Sequence, residues 1–145
     1  MKHIATYALA MLACLSCSDG KEEKEIADVA ASFARDYFGC KYTEARQLCT
    51  DSSEKWIKFV ASNVSDSDLT VLNSAPSDAE FEVTDVDLTG DSTATASIEA
   101  RNYLKLDAIT RHGELSTSDT YRFTIECHNG KWMVHLDGVP QPEAE

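Results

Sequence analysis

The sequence contains few of the residues on which metal sites and disulfide frameworks depend. It has four histidines and five cysteines among its 145 residues. After residue 17, neither a Cys-x-x-Cys motif nor a His-rich spacing occurs, which argues against a zinc site. No arrangement of the Ser-His-Asp or Cys-His type is recognisable either. The sequence therefore predicts no metal and no cofactor.

Basic residues and long apolar runs are also scarce. Lys and Arg number 13 against 25 Asp and Glu, so the formal net charge is −12. Nucleic acids and anionic lipid surfaces attract Lys and Arg, and this balance therefore argues against both as partners. The longest apolar run, from Ile4 to about Leu15, is shorter than the roughly 20 residues that a membrane-spanning helix needs.

The first seventeen residues have the pattern of a lipoprotein signal peptide. A basic start at Lys2 precedes the apolar run, and Cys17 is followed at once by the polar residues 18–25. This segment resembles the lipobox that lipoprotein signal peptidase recognises, with Cys17 as the lipid-modified residue. Cys14 is the alternative, because both positions match the motif imperfectly. The change from apolar to polar residues directly after Cys17 favours Cys17.

This resemblance implies a location outside the cytoplasm. Acyl chains contribute about 0.8 kcal/mol per buried methylene, so several chains would hold the protein permanently at a membrane. Residues 18–25 also resemble an export tether of some Gram-negative lipoproteins, which implies the outer membrane with the domain facing the periplasm or the cell surface. The alternative is a secreted protein that is cleaved nearby and leaves Cys17 unmodified.

The remaining chain has the length of a single domain. We expect a signal peptide over 1–16, a flexible tether over 17–24, one domain over 25–139 and a disordered tail over 140–145. Three cysteines lie within the domain, and a disulfide between Cys40 and Cys49 requires the intervening turn to fold back. The alternative is that Cys40, Cys49 and Cys127 are small core residues.

The first half of the domain has helical periodicity. Apolar residues spaced three and four apart predict a helix from Ile26 to Phe38, ended by Gly39. A short helix follows Thr43, a third begins at residues 51–54, and Ser65 with Asp68 caps a fourth.

The second half alternates between apolar and polar residues. This pattern predicts four strands: one from Phe81 with a bulge near Thr84, a long one from Thr93 to about Ile109, and two joined by a hairpin at Asn129-Gly130. Helices followed by an antiparallel meander predict an α+β fold. We expect the curved sheet to wrap around the first helix as a cone.

This element order resembles the cystatin-like superfamily typified by nuclear transport factor 2, over roughly Glu25 to Leu136. The combination of Glu44-Ala45-Arg46, Asn102-Tyr103-Leu104 and Gly130-Lys131-Trp132 is also similar to small lipoproteins of unknown function from gut Gram-negative bacteria. The superfamily includes isomerases and dehydratases as well as non-catalytic binding domains. The resemblance therefore implies a fold and leaves the function open.

An enzyme of this fold would hold an acid or base inside the cone. Strand alternation predicts that Tyr103, His128 and His135 point away from the cone, and that Tyr121 points inward as a core residue. Asp107, near a strand end, could face the mouth. Asp107 and Tyr121 are thus weak catalytic candidates.

The leading interpretation is a membrane-anchored, non-enzymatic domain that binds an unknown small molecule or protein. The alternative is an isomerase-like or dehydratase-like enzyme with an acid or base in the cone. A homodimer through the outer sheet face is a third possibility.

Overall fold

The computed structural model describes residues 2–106 and 113–144, with side chains from residue 20 onward. Four helices precede four strands along the chain. They are α1 (Lys2–Phe38), α2 (Tyr42–Gln47), α3 (Glu54–Asn63), α4 (Asp66–Asn73), β1 (Glu80–Leu88), β2 (Thr93–Leu106), β3 (Gly113–His128) and β4 (Lys131–His135), with a 3-10 turn at Asp51–Ser53 before α3.

The strands form one antiparallel sheet in the order β1-β2-β3-β4. The register between β1 and β2 shifts between Val83 and Asp85, which confirms the bulge expected near Thr84. Asn129 and Gly130 both have positive φ angles, as a two-residue hairpin turn requires. The predicted α+β class, with helices packed on a curved antiparallel sheet, is confirmed.

The core lies between α1 and the concave face of the sheet. On β2, the small residues Ala94, Ala96 and Ala100 are fully buried and leave room for larger side chains from the helix. Phe33 of α1 is also fully buried, and its ring meets that of Phe123 edge to face at a centroid distance of 5.3 Å. The sheet therefore wraps around the C-terminal half of α1.

The first helix is longer than its apolar periodicity indicates. Residues 17–24, expected to be a flexible tether, lie within α1 and continue the helix that was predicted to begin at Ile26. Lys and Glu are good helix formers, and the Lys21 ammonium lies 3.9 Å from the Glu25 carboxylate one turn later. Among the described residues, no helix has the length and apolar character needed to cross a membrane.

The C-terminal tail, expected to be disordered, contacts β3 in the structure. Residues 140–144 have no regular secondary structure, yet the Glu143 N–H donates to the Thr120 carbonyl at 2.7 Å. The Glu143 carboxylate lies 3.1 Å from the Arg122 guanidinium. The tail therefore follows β3 beyond the end of the short strand β4.

The alternation of side chains along β2 changes at Asn102. This residue has φ = 52°, a left-handed conformation that Asn adopts more readily than most residues. Before it, the even-numbered residues face the core, and after it Tyr103 does, with no exposed surface. The expectation that Tyr103 points away from the cone is therefore wrong.

Candidate functional site

A hydrogen-bonded network of tyrosines and a carboxylate lies at the C-terminal end of α1. The Tyr103 hydroxyl donates to Asp119 Oδ2 at 2.6 Å, and it lies 2.7 Å from the Tyr121 hydroxyl. Ser116 Oγ donates to the same carboxylate oxygen at 2.5 Å. Because the single proton of Tyr103 goes to Asp119, Tyr121 donates to Tyr103. Both tyrosine protons are therefore used within the network.

Aromatic rings surround these hydroxyls. Phe38, near the end of α1, has ring centroids at 5.0 Å from Tyr103, 4.8 Å from Tyr121 and 5.6 Å from Phe81. These distances are those of packed aromatic pairs. This part of the cone interior is thus filled by the protein's own side chains.

The electrostatics of the network favour an ionised carboxylate beside neutral tyrosines. Burial acts to raise the pKa of Asp119, but hydrogen bonds from Ser116 and Tyr103 and the nearby Lys105 outweigh it, so the pKa lies below its ordinary value. For both tyrosines the main cause of a raised pKa is burial. It raises the pKa of Tyr103, and it raises that of Tyr121 to about 12. A carboxylate with a lowered pKa is a weak general base at neutral pH.

The charge of Asp119 is expected to stabilise the fold. Asp119→Asn should lower the free energy of unfolding at pH 7 by roughly 1–2 kcal/mol, because hydrogen bonds to a charged group contribute more than neutral ones. Since the folded pKa is lowered, this contribution is present above the unfolded value of about 4 and is lost as pH falls through the folded pKa. Urea unfolding of the parent and the variant at pH 7 measures the contribution of the charge, and the same experiment at pH 3 measures its loss.

The control for this experiment is Asp85→Asn, which changes an exposed carboxylate at the bulge in β1. It should leave the free energy of unfolding nearly unchanged at both pH values. If Asp119→Asn lowers the free energy of unfolding by the same amount at pH 3 and at pH 7, the charge of Asp119 has no role in stability.

The catalytic candidates from the sequence are not brought together. Asp107 lies outside the described residues. Tyr121 points inward as expected and is 3% exposed, and its hydroxyl bonds that of Tyr103. The sequence interpretation missed Asp119, although the Ser116 and Asp119 spacing of three residues is a pattern that allows a local hydrogen bond.

Asp68 has a second role that its capping pattern does not indicate. It accepts the Ser65 N–H at 2.9 Å in the expected capping box. Its other oxygen accepts the Gly113 N–H at 2.7 Å, which ties α4 to the first residue of β3. The side chain is only 2% exposed, so this carboxylate belongs to the structural framework of the domain.

Cys40, Cys49 and Cys127 are all free thiols, so the possible disulfide between Cys40 and Cys49 does not form in the structure. The Cys49 thiol donates to the Ala45 carbonyl of α2, and burial raises its pKa to about 12. Cys40 follows α1 in a left-handed conformation, and Tyr42 donates a hydrogen bond to its sulfur. A thiol with a raised pKa is a poor nucleophile.

A cleft of about 570 Å³ lies outside the cone, between the 3-10 turn and the β3–β4 hairpin. We call it the hairpin cleft. Its lining combines carboxylates, an imidazole, an amide, an ammonium and a thioether. The residues are Thr50, Asp51, Ser52, Glu126, His128, Asn129, Lys131 and Met133.

The two histidines of β3 and β4 lie on this outer side, as expected. His128 Nε2 is 2.8 Å from Glu126 Oε1. His135 links β4 to the 3-10 turn, because its Nδ1 is 3.0 Å from Thr50 Oγ1 and its Nε2 is 2.9 Å from Asp137 Oδ1. Both ring nitrogens of His135 therefore have partners, and the described part of the chain contains no cluster of three or more residues that could hold a metal ion.

The same side of the molecule contains a protected sheet edge. The Thr50 N–H donates to the Val134 carbonyl at 2.9 Å, and the Val134 N–H donates to the Leu48 carbonyl at 2.8 Å. Ser53 Oγ accepts the Leu136 N–H at 2.8 Å. The wall of the hairpin cleft that contains residues 50–52 is therefore fixed to β4 by backbone hydrogen bonds.

The helices, the curved sheet and its strand order can be compared with known structures. The chain has the nuclear transport factor 2-like fold. It is similar to a ketosteroid isomerase-like protein from Erwinia carotovora atroseptica SCRI1043, with a TM-score of 0.51 and 15% identity over 78% of this chain and 90% of that one. This likeness establishes the fold alone.

A second similar structure is an Ntf2-like protein involved in plasmid conjugation. Its TM-score is 0.42 at 13% identity, and the match covers 85% of this chain but about half, 49%, of that protein. No protein family and no curated protein matches the sequence.

Proposed function

We propose that the protein is a lipid-anchored binding module, attached to the outer membrane through Cys17, whose domain binds a ligand at the hairpin cleft without catalysing a reaction. The apolar run that ends at Cys17 and the polar residues after it support the anchor. The filled cone and the open outer cleft support the binding role. The cleft is the observation on which this role depends.

The size and lining of the hairpin cleft suit a small polar ligand. Ligand sites in proteins typically have volumes of about 300–1,000 Å³ and combine apolar contacts with a few placed polar groups. In this cleft Asp51 and Glu126 supply acceptors, Lys131 supplies donors and Met133 supplies apolar surface. A ligand with both a cationic or donor group and an apolar part matches this set.

The alternative is an isomerase-like enzyme that uses the tyrosine network. The hydrogen bond from Tyr103 to Asp119 favours it, because a positioned hydroxyl beside a carboxylate is a common catalytic arrangement. Three features oppose it: the protons of both tyrosines are already donated within the network, the pKa of Asp119 is lowered, and the surrounding rings leave Tyr103 without exposed surface.

Ligand mapping by NMR distinguishes the two functions. In titrations with a library of small polar compounds, we expect amide shifts at residues 50–52 and 126–133. Lys131→Ala should weaken the binding of any such compound by about ten- to a hundredfold, since a charged hydrogen bond contributes about 1.5–3 kcal/mol. The measurement is the dissociation constant from the shifts.

The control variant is Lys58→Ala, which removes an exposed ammonium on α3 outside the cleft and should leave binding unchanged. Shifts centred on Tyr103 and Tyr121, together with turnover of a steroid ketone that Asp119→Ala abolishes, would replace the binding role with the enzymatic alternative.

A further inference from the structure

Within α1, residues 20–25 form a helical segment without a core-facing side. Ile26 is fully buried, whereas Gly20, Lys21 and residues 23–25 are exposed and Glu22 is partly exposed. A helix that is polar on all sides and remains helical typically bridges solvent between two attached bodies. In this chain the domain lies at one end of the segment and Cys17 at the other.

The helix also fixes which end of the domain is nearer to Cys17. At the start of its buried part, Glu25 and Asp28 line a groove with Gly130 and Trp132 of the β3–β4 hairpin. The Ser92 carbonyl of the β1–β2 turn accepts a hydrogen bond from the Cys127 N–H, near the end of β3, at 2.8 Å, so that turn lies at the same end. We call this end the hairpin pole.

The opposite end contains α4 and the start of β3. Phe38, the last residue of α1, packs against Phe81 and Tyr103 there, and Asp68 holds Gly113. We call this end the α4 pole. The two poles are separated by the buried length of α1 from Ile26 to Phe38, about 18 Å at about 1.5 Å per residue.

We infer that residues 18–25 form a rigid helical stalk that orients the domain on the membrane, with the hairpin pole facing the bilayer and the α4 pole facing the aqueous compartment. This inference rests on the proposed lipid anchor at Cys17. The nine helical steps from Cys17 to Ile26 span about 14 Å, which sets the distance between the bilayer surface and the domain.

The charges of the hairpin pole do not draw the domain down onto the membrane. Asp28, Asp87 and Asp91 near the pole outnumber Lys131, and on the stalk the three Glu residues at 22, 23 and 25 outnumber Lys21 and Lys24. An anionic bilayer surface therefore does not attract this pole, and at a distance of about 14 Å, beyond the Debye length of about 8 Å at physiological ionic strength, its repulsion is largely screened. The upright position therefore depends on the stalk and not on an attraction between the pole and the lipids.

The stalk also keeps the hairpin cleft close to the membrane. His128, Asn129 and Lys131 place one end of the cleft at the hairpin pole, about 14 Å from the bilayer surface. The proposed ligand is therefore bound close to the membrane surface.

Energy transfer to a membrane dye tests this orientation. The lipidated full chain is placed in vesicles of phosphatidylethanolamine and phosphatidylglycerol that contain an acceptor lipid. An azide-bearing amino acid replaces Asp91 at the hairpin pole or Ser77, which is exposed near the α4 pole, and receives the donor dye. We expect severalfold higher transfer from position 91 than from position 77.

A break in the stalk provides the second measurement. Glu22→Pro interrupts the helix, and the difference in transfer between positions 91 and 77 should then largely disappear. Glu22→Ala keeps the helix and should preserve the difference. Vesicle flotation is recorded for every variant, because it measures anchoring independently of orientation.

The outcomes separate the anchor from its orientation. Protein that does not float with the vesicles would overturn the lipid anchor and, with it, the stalk. Protein that floats but gives equal transfer from both positions, or a difference that Glu22→Pro leaves intact, would overturn the stalk and leave the anchor standing.

Discussion

Cys17→Ala is expected to release the protein from membranes into the soluble fraction. Each buried methylene of an acyl chain contributes about 0.8 kcal/mol, and a single chain already gives an association constant of about 10⁴ M⁻¹. A lipoprotein cysteine bears several chains, so its loss should lower membrane partitioning by more than about a hundredfold. Membrane fractionation combined with metabolic acyl labelling measures both the location and the modification.

Nothing else described in the domain replaces this attachment. The net charge of −12 disfavours adhesion to anionic lipids, and no described helix is suited to cross a membrane. The soluble Cys17→Ala protein should therefore remain folded, with the circular dichroism spectrum of the parent. A variant that stays at the membrane without a label would show that another contact holds it.

Cys14→Ala is the matched control, because it removes the other cysteine of the segment. It should leave labelling and membrane location unchanged. If Cys14→Ala releases the protein and Cys17→Ala does not, the modified residue is Cys14. If neither substitution changes the label or the location, the lipid anchor is wrong.

The predictable part of the fold is the part that local patterns determine. The helix before Gly39, the capping box of Ser65 and Asp68, and the Asn129-Gly130 hairpin each depend on residues close in sequence. The bulge near Thr84 was predicted because a change in apolar alternation is itself a sequence signal. These elements together were sufficient to predict the α+β class.

The tyrosine network was missed because one residue reverses the orientation of those that follow. Without the left-handed conformation of Asn102, simple alternation places Tyr103 outside the cone. An Asn at the point where alternation breaks is a usable signal, since Asn tolerates positive φ. The partner Asp119, by contrast, is 16 residues from Tyr103 along the chain, and its role depends on the β2–β3 register.

The structures of the two ends of the domain have different causes. A tether without apolar periodicity is expected to be flexible, whereas in the structure the helix propensity of its Lys and Glu residues continues α1 through it. The tail from residue 140 is expected to be disordered, whereas in the structure Glu143 bonds Thr120 and pairs with Arg122 on β3. The first cause is local in sequence, and the second depends on residues about 20 positions away.

Tyr103→Ala is expected to be among the most destabilising substitutions in the domain. Tyr103 is fully buried and its ring packs against Phe38, Phe81 and Tyr121. Replacing a large buried aromatic side chain by Ala typically costs about 3–5 kcal/mol, through lost transfer free energy and the cavity left behind. Urea unfolding followed by tryptophan fluorescence measures the change in the free energy of unfolding.

Tyr103→Phe separates packing from hydrogen bonding. The ring remains, but Asp119 loses one donor and Tyr121 loses its acceptor. The expected cost is about 1–3 kcal/mol, the cost of leaving a buried polar group without its partner. The difference between the Ala and Phe variants then gives the contribution of the ring.

The pair of variants also tests whether the network is structural. If the network serves only the fold, Tyr103→Phe lowers stability and leaves ligand binding at the hairpin cleft unchanged, because the cleft lies at the opposite pole. If Tyr103→Ala is as stable as Tyr103→Phe, the packing of the ring does not contribute as argued. A Phe variant of unchanged stability that loses a catalytic activity would instead assign Tyr103 to chemistry, since only its hydroxyl has been removed.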